Sequence, residues 1–143
     1  MKRLKNTNKH LDLSQYGIQE RFDVYNIGNY NFEENLDFNN NLGVYIFSCR
    51  DTCSTLSESY RREIYYHTPL YCGMTSNFNK RFNDHFKAED LMEANCNCIS
   101  VYYCKAEEDA VDLEKKILSL IKFPFNKAEN NNPKYDNAKL AEV

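Results

Sequence analysis

The sequence has no tryptophan, and it has only four glycines and three prolines in 143 residues; the scarcity of glycine and proline argues against collagen-like, loop-dominated and disordered chains. It also has no apolar run long enough to span a membrane. The basic start at Lys2, Arg3, Lys5 and Lys9 reaches Asp12 without the apolar stretch that an export signal needs. A cytoplasmic protein without membrane association is therefore expected. Positive charge is not in excess either: 18 Lys and Arg stand against 21 Asp and Glu, for a formal net charge of −3. Any nucleic-acid surface must then be local. Lys2 to Lys9 form one basic cluster and Lys80, Arg81 and Lys87 another, and each also reads as an ordinary solvated face.

What is present is a globular composition, 42% hydrophobic with eleven Tyr and nine Phe. That is enough to bury one core, and the chain is short for two domains. Six cysteines, at positions 49, 53, 72, 96, 98 and 104, read in a cytosolic setting as buried or half-buried free thiols. The competing reading is a zinc site made of Cys49, Cys53, Cys96 and Cys98. Its Cys-x-x-x-Cys and Cys-x-Cys spacings match the usual Cys-x-x-Cys pairs poorly.

Residues 1–41 are rich in Asn and charge and commit to neither helical nor strand periodicity, so they read as an irregular N-terminal extension. Residues 43–49 (GVYIFSC) are apolar on both alternating faces, as in a central strand. The polar stretch 50–68 reads as a surface excursion, partly helical. Residues 69–73 (PLYCG) resume strand character, with Pro tolerable at the start and Gly at the end. A helix capped by Thr75 or Ser76 is expected to run to about Lys87, with Phe78, Phe82 and Phe86 as its apolar stripe. Residues 99–104 (ISVYYC) form a third strand. Residues 107–122 make the clearest helix: acidic residues 107–109 suit the positive end of its dipole, and Pro124 stops it. The polar tail from 128 to 143 is expected to be loosely ordered.

Two features point to chemistry. On a helical wheel Glu114 falls within the arc of Ala110, Val111, Leu113, Ile117, Leu118, Leu120 and Ile121. A carboxylate there is costly unless it is paired, hydrogen-bonded or bound to a cation; a salt bridge to an arginine at the core edge is the plain alternative. Asn77, Arg81 and His85 recur every four residues and share a face. An Arg that grips phosphate oxygens and a His that titrates near neutrality could meet one phosphate together, although such pairs are also commonplace on solvated helix edges.

Together these positions resemble the GIY-YIG nuclease signature. Gly43-Val44-Tyr45 is similar to its first motif and Tyr71-Cys72-Gly73 to its second. Thr75, Asn77, Phe78, Arg81, Phe82 and His85 follow in matching order, then Glu114 and Asn126. The resemblance covers residues 42–127, leaving 1–41 as an N-terminal extension and 128–143 as a tail. The fold it implies is α/β (α+β), a small three-stranded, mainly antiparallel sheet flanked by helices. The interval between the two tyrosines is longer than usual in the family, which makes about 50–68 an insertion. Arg61, Arg62, Tyr65 and Tyr66 within it could read a nucleic acid or line a solvated hairpin.

The activity implied is metal-dependent endonucleolytic hydrolysis of phosphodiester bonds in DNA, with one divalent ion, Mg²⁺ or Mn²⁺, held by Glu114. Tyr45, Tyr71, Arg81, His85 and Glu114 are the catalytic set that the resemblance implies. Arg81 would stabilise phosphate charge, Tyr71 or Tyr45 would orient or deprotonate the water, and His85 would assist. Asn77, Lys80 and Asn126 are the implied substrate-binding residues, with Asn126 holding the site together or touching substrate. Met74 stands where many relatives carry a lysine, and Lys80 is the nearby cation that could compensate. A homodimer and a protein partner that confers specificity are both compatible with this reading. The alternatives are a catalytically inactive nucleic-acid-binding module of the same fold and a structural thiol-metal protein.

Overall fold

The computed structural model describes residues 2–3, 5–28, 36–37, 41–57, 60–83, 88–126, 130 and 132–143; side chains are described for these except 2–3, 36–37, 52–57, 60–64, 83 and 88. In chain order the strands and helices are β1 (Lys2–Arg3), β2 (Lys5–Asp12), β3 (Phe22–Asn26), β4 (Leu36–Asp37), β5 (Gly43–Ser57), β6 (Tyr60–Thr75), α1 (Phe78–Asn83), α2 (Ala88–Glu93), β7 (Cys98–Tyr103), α3 (Glu107–Leu120) and β8 (Leu140–Glu142). β1 and β4 form a short parallel pair. The other strands close into a barrel in the order β2-β3-β7-β5-β6-β8. None of the described helices is long and apolar enough to cross a membrane.

The expected three strands are present as β5, β6 and β7, all antiparallel, but the described sheet has six. The additional strands come from outside 42–127. β3 pairs with the outer edge of β7, β2 pairs with β3, and the three-residue β8 bridges β2 and β6. Segments that read as an irregular extension and a loose tail thus cover sheet edges that would otherwise present unpaired backbone groups. Nor is the stretch after Arg50 helical: β5 and β6 continue as a two-stranded arm with paired residues out to Ser57↔Tyr60. At its base the Arg50 guanidinium lies 3.7 Å over the Tyr65 ring.

Strand alternation divides the core. Val44, Ile46 and Cys72 face one cluster with Leu11, Val24 and the buried face of α3. Tyr45, Phe47, Tyr71, Phe78, Phe82 and Val101 form the other. A register shift between Phe47 and Ser48 leaves Leu70 as a bulge, because Phe47 pairs with Tyr71 and Ser48 with Pro69. The bulge explains how β6 runs through Pro69, which cannot donate to a ladder, instead of starting there. It also puts the consecutive residues Leu70 and Tyr71 in one cluster. Tyr71 shares the face that carries Tyr45 by regular alternation, because Tyr45 pairs with Gly73 and Phe47 with Tyr71 before the shift.

A buried polar network fastens β8. The Ser48 hydroxyl and His67 Nδ1 lie 2.7 Å apart, His67 Nε2 is 2.7 Å from Glu142, and the Arg50 guanidinium donates to both Glu142 carboxylate oxygens at 2.7 and 2.8 Å. A carboxylate only accepts, so Nε2–H donates to Glu142, and with the ring neutral, as its burial favours, Nδ1 accepts the Ser48 hydroxyl. No sequence periodicity announced this arrangement.

Candidate active site

The two tripeptide motifs interlock across β5 and β6, where Tyr45 pairs with Gly73. A Cβ on Gly73 would collide with the Tyr45 hydroxyl and its ring carbon Cζ, so the glycine of the second motif makes room for the tyrosine of the first. Gly43 has a comparable reason: a Cβ there would collide with the Tyr102 carbonyl oxygen. The Tyr45 ring is boxed by Phe47, Tyr71, Phe78 and Phe82, with centroids 5.1 to 6.2 Å away. Tyr45 is 0% exposed and Tyr71 9%. Burial pushes the Tyr45 phenol well above the ordinary tyrosine range, against the opposing pull of Arg81.

Arg81 comes to these rings on α1. Its Nε donates to the Tyr45 hydroxyl at 3.1 Å, and it also hydrogen-bonds the Tyr71 side chain. These bonds and the nearby phenols raise its pKa against the opposing effect of burial, the largest single influence, so its charge is permanent. Asn77 starts the helix as its cap, because its side-chain oxygen accepts the Lys80 backbone N–H at 3.0 Å. Thr75 in turn accepts the Asn77 N–H at 3.1 Å. The expected capping by Thr75 or Ser76 is thus corrected by one or two positions, and the Asn77 side-chain oxygen is engaged in capping. Lys80 is exposed. His85, together with Phe86 and Lys87, lies outside the described residues.

Glu114 sits on α3 among Ala110, Ile117, Leu118 and Ile121, all buried, and is itself half-buried. Its negative charge reaches the Cys72 thiol, whose pKa is raised first by burial and second by Glu114. Cys72 in turn acts on Tyr45. α3 packs on β5 and β6; Cys72 shares the core cluster of its buried face, whereas Tyr45 and Tyr71 belong to the other cluster. Among the described residues no three His, Cys, Asp or Glu side chains gather in a metal-holding arrangement. Of the cysteines considered for zinc, the Cys53 side chain lies outside the described set, and Cys96 and Cys98 are core thiols pushed up in pKa chiefly by burial. A cavity of about 480 Å³ lined by Glu20, Tyr102, Tyr103, Asp109 and Asp112 opens on the other flank of α3 from Glu114. It forms no part of this site.

Asn126 has a structural duty. It is 2% exposed, and its side chain accepts the Cys72 N–H at 2.8 Å while donating to the Cys72 carbonyl at 2.7 Å. With the Phe125 N–H bonded to the Leu70 carbonyl at 3.1 Å, the chain after α3 imitates a neighbouring strand along β6. The Asn126 amide is thus engaged with the backbone of the second tripeptide. Asn126→Ala leaves both Cys72 backbone groups buried without partners and is expected to destabilise the fold by about 3 kcal/mol, as measured by urea unfolding. A loss below about 1 kcal/mol would mean that water replaces the amide. Asn130, in the tail, went unnoticed in the sequence. It is 1% exposed, and its amide donates to the Leu118 and Ile121 carbonyls at the end of α3 while accepting the Phe123 N–H.

Comparison with protein-family models matches residues 41–128 to the GIY-YIG catalytic domain. Searches of the curated proteins and of the solved structures find no match. With well over half of its length matched, and with both tripeptides, Arg81 and Glu114 inside the match, the chain belongs to the GIY-YIG family.

Proposed function

We propose that this protein is a metal-dependent endonuclease that hydrolyses phosphodiester bonds in DNA. The observation that carries the reading is the Arg81 guanidinium set against the tyrosines of both motifs, with the half-buried Glu114 on the helix that packs against the same two strands. Phosphodiester hydrolysis needs a fixed positive charge against the non-bridging oxygens, an oriented water and a tether for a divalent ion. Arg81 supplies the first, as a planar fork suited to phosphate. Tyr71, less deeply buried than Tyr45, orients the water.

Glu114 is the candidate metal tether. A single carboxylate fits Mg²⁺ or Mn²⁺ when water and phosphate oxygens complete the shell, and the lack of a three-ligand cluster among the described residues is compatible with a site completed by substrate. When bound, such an ion supplies positive charge against the phosphate and the leaving oxygen. Lys80, exposed at the start of α1, is available to the DNA backbone.

The experiment is cleavage of a panel of duplex, branched and single-stranded DNA by purified protein. Products are expected with Mg²⁺ or Mn²⁺ and none with EDTA. Binding without cleavage under every metal condition would overturn the reading in favour of a non-cutting module.

A further inference from the structure

β5 is paired with β7 only as far as Ser48, and β6 meets β8 at Tyr66 and His67, yet the two strands stay paired with each other out to Ser57↔Tyr60. Between Thr52↔Tyr65 and that last pair no third described strand joins them, so they stand as a two-stranded ribbon about 17 Å long at the usual rise per residue. Its base is fixed from three sides. The Asn97 side chain accepts the Arg50 N–H at 2.8 Å and donates to the Arg50 carbonyl at 3.4 Å, Glu142 of β8 grips the Arg50 guanidinium, and that guanidinium lies over Tyr65 of the opposite strand. A mere connection between β5 and β6 needs no such mount, because a short turn would join them with fewer residues to order. We propose that the ribbon lies along the duplex that flanks the cut and binds its backbone, so that the substrate is double-stranded DNA reaching about one helical turn from the scissile phosphate. This rests on the nuclease reading above and extends it from the site to the length of its substrate.

Reach, shape and chemistry select DNA as the occupant. The ribbon continues the two strands that carry Tyr45 and Gly73. At the usual strand rise Thr52 lies about 23 Å and Ser57 about 40 Å from Tyr45 along β5, a span that brackets the roughly 34 Å of one turn of B-DNA. A two-stranded ribbon is also one of the shapes that the major groove admits. Ser57 pairs with Tyr60 and Thr55 with Arg62, and alternate residues share a face, so the register puts these four residues on one side of the ribbon. An arginine among hydroxyl-bearing residues is the set that binds phosphate oxygens. Glu63, paired with Ser54, falls on the opposite face with Arg61, and Asp51 shares the Arg62 face only at the base, where it pairs with Tyr66. Such a local contact suits a chain whose net charge is −3. Pairing with a second copy would use the ribbon's edges instead and would give this face no role.

The test measures binding in EDTA, where nothing is cut, by fluorescence anisotropy with hairpin-closed duplexes of about 10 and about 30 base pairs. Centred on the site, the shorter duplex ends about 17 Å away, before the ribbon begins. One variant replaces residues 53–64 by Asn-Gly, a turn that suits the Thr52↔Tyr65 pair. A second, Arg62→Ala, keeps the ribbon whole should the first fail to fold. We expect the trimmed protein to bind the long duplex about tenfold more weakly than the wild type and the short one within about twofold. Arg62→Ala should lose about threefold on the long duplex, with a salt slope reduced by about one. Equal losses on the two duplexes, or no loss on the long one, would overturn the proposal. So would a wild-type dimer that trimming turns into a monomer in sedimentation, since the ribbon would then join copies of the chain. Cleavage is read separately with Mg²⁺. A ribbon-dependent length effect in a protein that never cuts sinks the nuclease reading and leaves the ribbon as a DNA contact, whereas cleavage with binding indifferent to the ribbon does the reverse.

Discussion

Glu114→Gln is expected to slow metal-supported cleavage by about a thousandfold, the loss of several kcal/mol of charge stabilisation in the transition state. The fold should not suffer. Glu114 sits within the apolar arc of α3 beside buried Ile117, Leu118 and Ile121, where a neutral amide of the same shape is less costly to desolvate than a carboxylate. The melting temperature should therefore stay constant or rise slightly, which is the signature of a group kept for function at the expense of stability. Single-turnover cleavage across a Mg²⁺ titration, alongside thermal unfolding, provides both readouts. A variant that cuts within about tenfold of the parent at saturating metal would remove Glu114 from the metal role. A variant that unfolds would show that the carboxylate's interactions within the fold outweigh the cost of its desolvation.

Glu114 could be singled out in the sequence because a charge inside an apolar helical arc violates a strong pattern, and α3 has the length to make that pattern plain. Tyr45, Tyr71 and Arg81 were legible for a different reason: they recur in fixed order at motif spacing, and the structure joins all three. β2 was not legible, because six of its eight residues before Leu11 are polar and only Leu11 is buried. Asn8, with φ at 59°, coincides with an irregularity between Asn6 and His10 that breaks the period-two alternation. β8 is three residues long and meets β6 only at Tyr66 and His67, too short for any periodicity. Its identity depends on what Glu142 finds far away in sequence. Pro69 misled for a local reason, since only the bulge at Leu70 allows the strand to pass through it. Asn126 and Asn130 illustrate a general blind spot: a side-chain amide that completes a distant backbone ladder looks, in sequence, like an ordinary loop residue.

Glu142→Ala is expected to destabilise the protein by about 3 kcal/mol, lowering the melting temperature by about 10 °C in a chain of this size. The Glu142 side chain is 2% exposed and the His67 ring 0%, so the substitution strips a buried imidazole of its acceptor and leaves Arg50, 24% exposed, with only partial access to water. It also removes the side-chain anchor of the strand that closes the barrel, leaving the ladder to Leu11, Asp12, Tyr66 and His67 and the paired backbone bonds between His10 and Val143. The pH dependence follows from the same network. Glu142 is held below its ordinary carboxylate range by Arg50 and His67 against the opposing effect of burial, so its contribution is complete above its unfolded-state pKa and is lost as pH falls through the folded value. Burial holds His67 below its ordinary 6.5 despite the pull of Glu142. The unfolded chain therefore takes up a proton there first, and stability declines as pH drops below that value. Both groups act in one direction: the wild type should weaken steadily from about pH 6.5 downward, and Glu142→Ala should lose the lower part of that slope while keeping the part due to His67. Urea unfolding of both proteins between pH 4 and pH 8 separates the two contributions. Equal stability of variant and wild type across that range would mean that the barrel stays closed through its backbone ladder alone and that the buried ion network contributes nothing net.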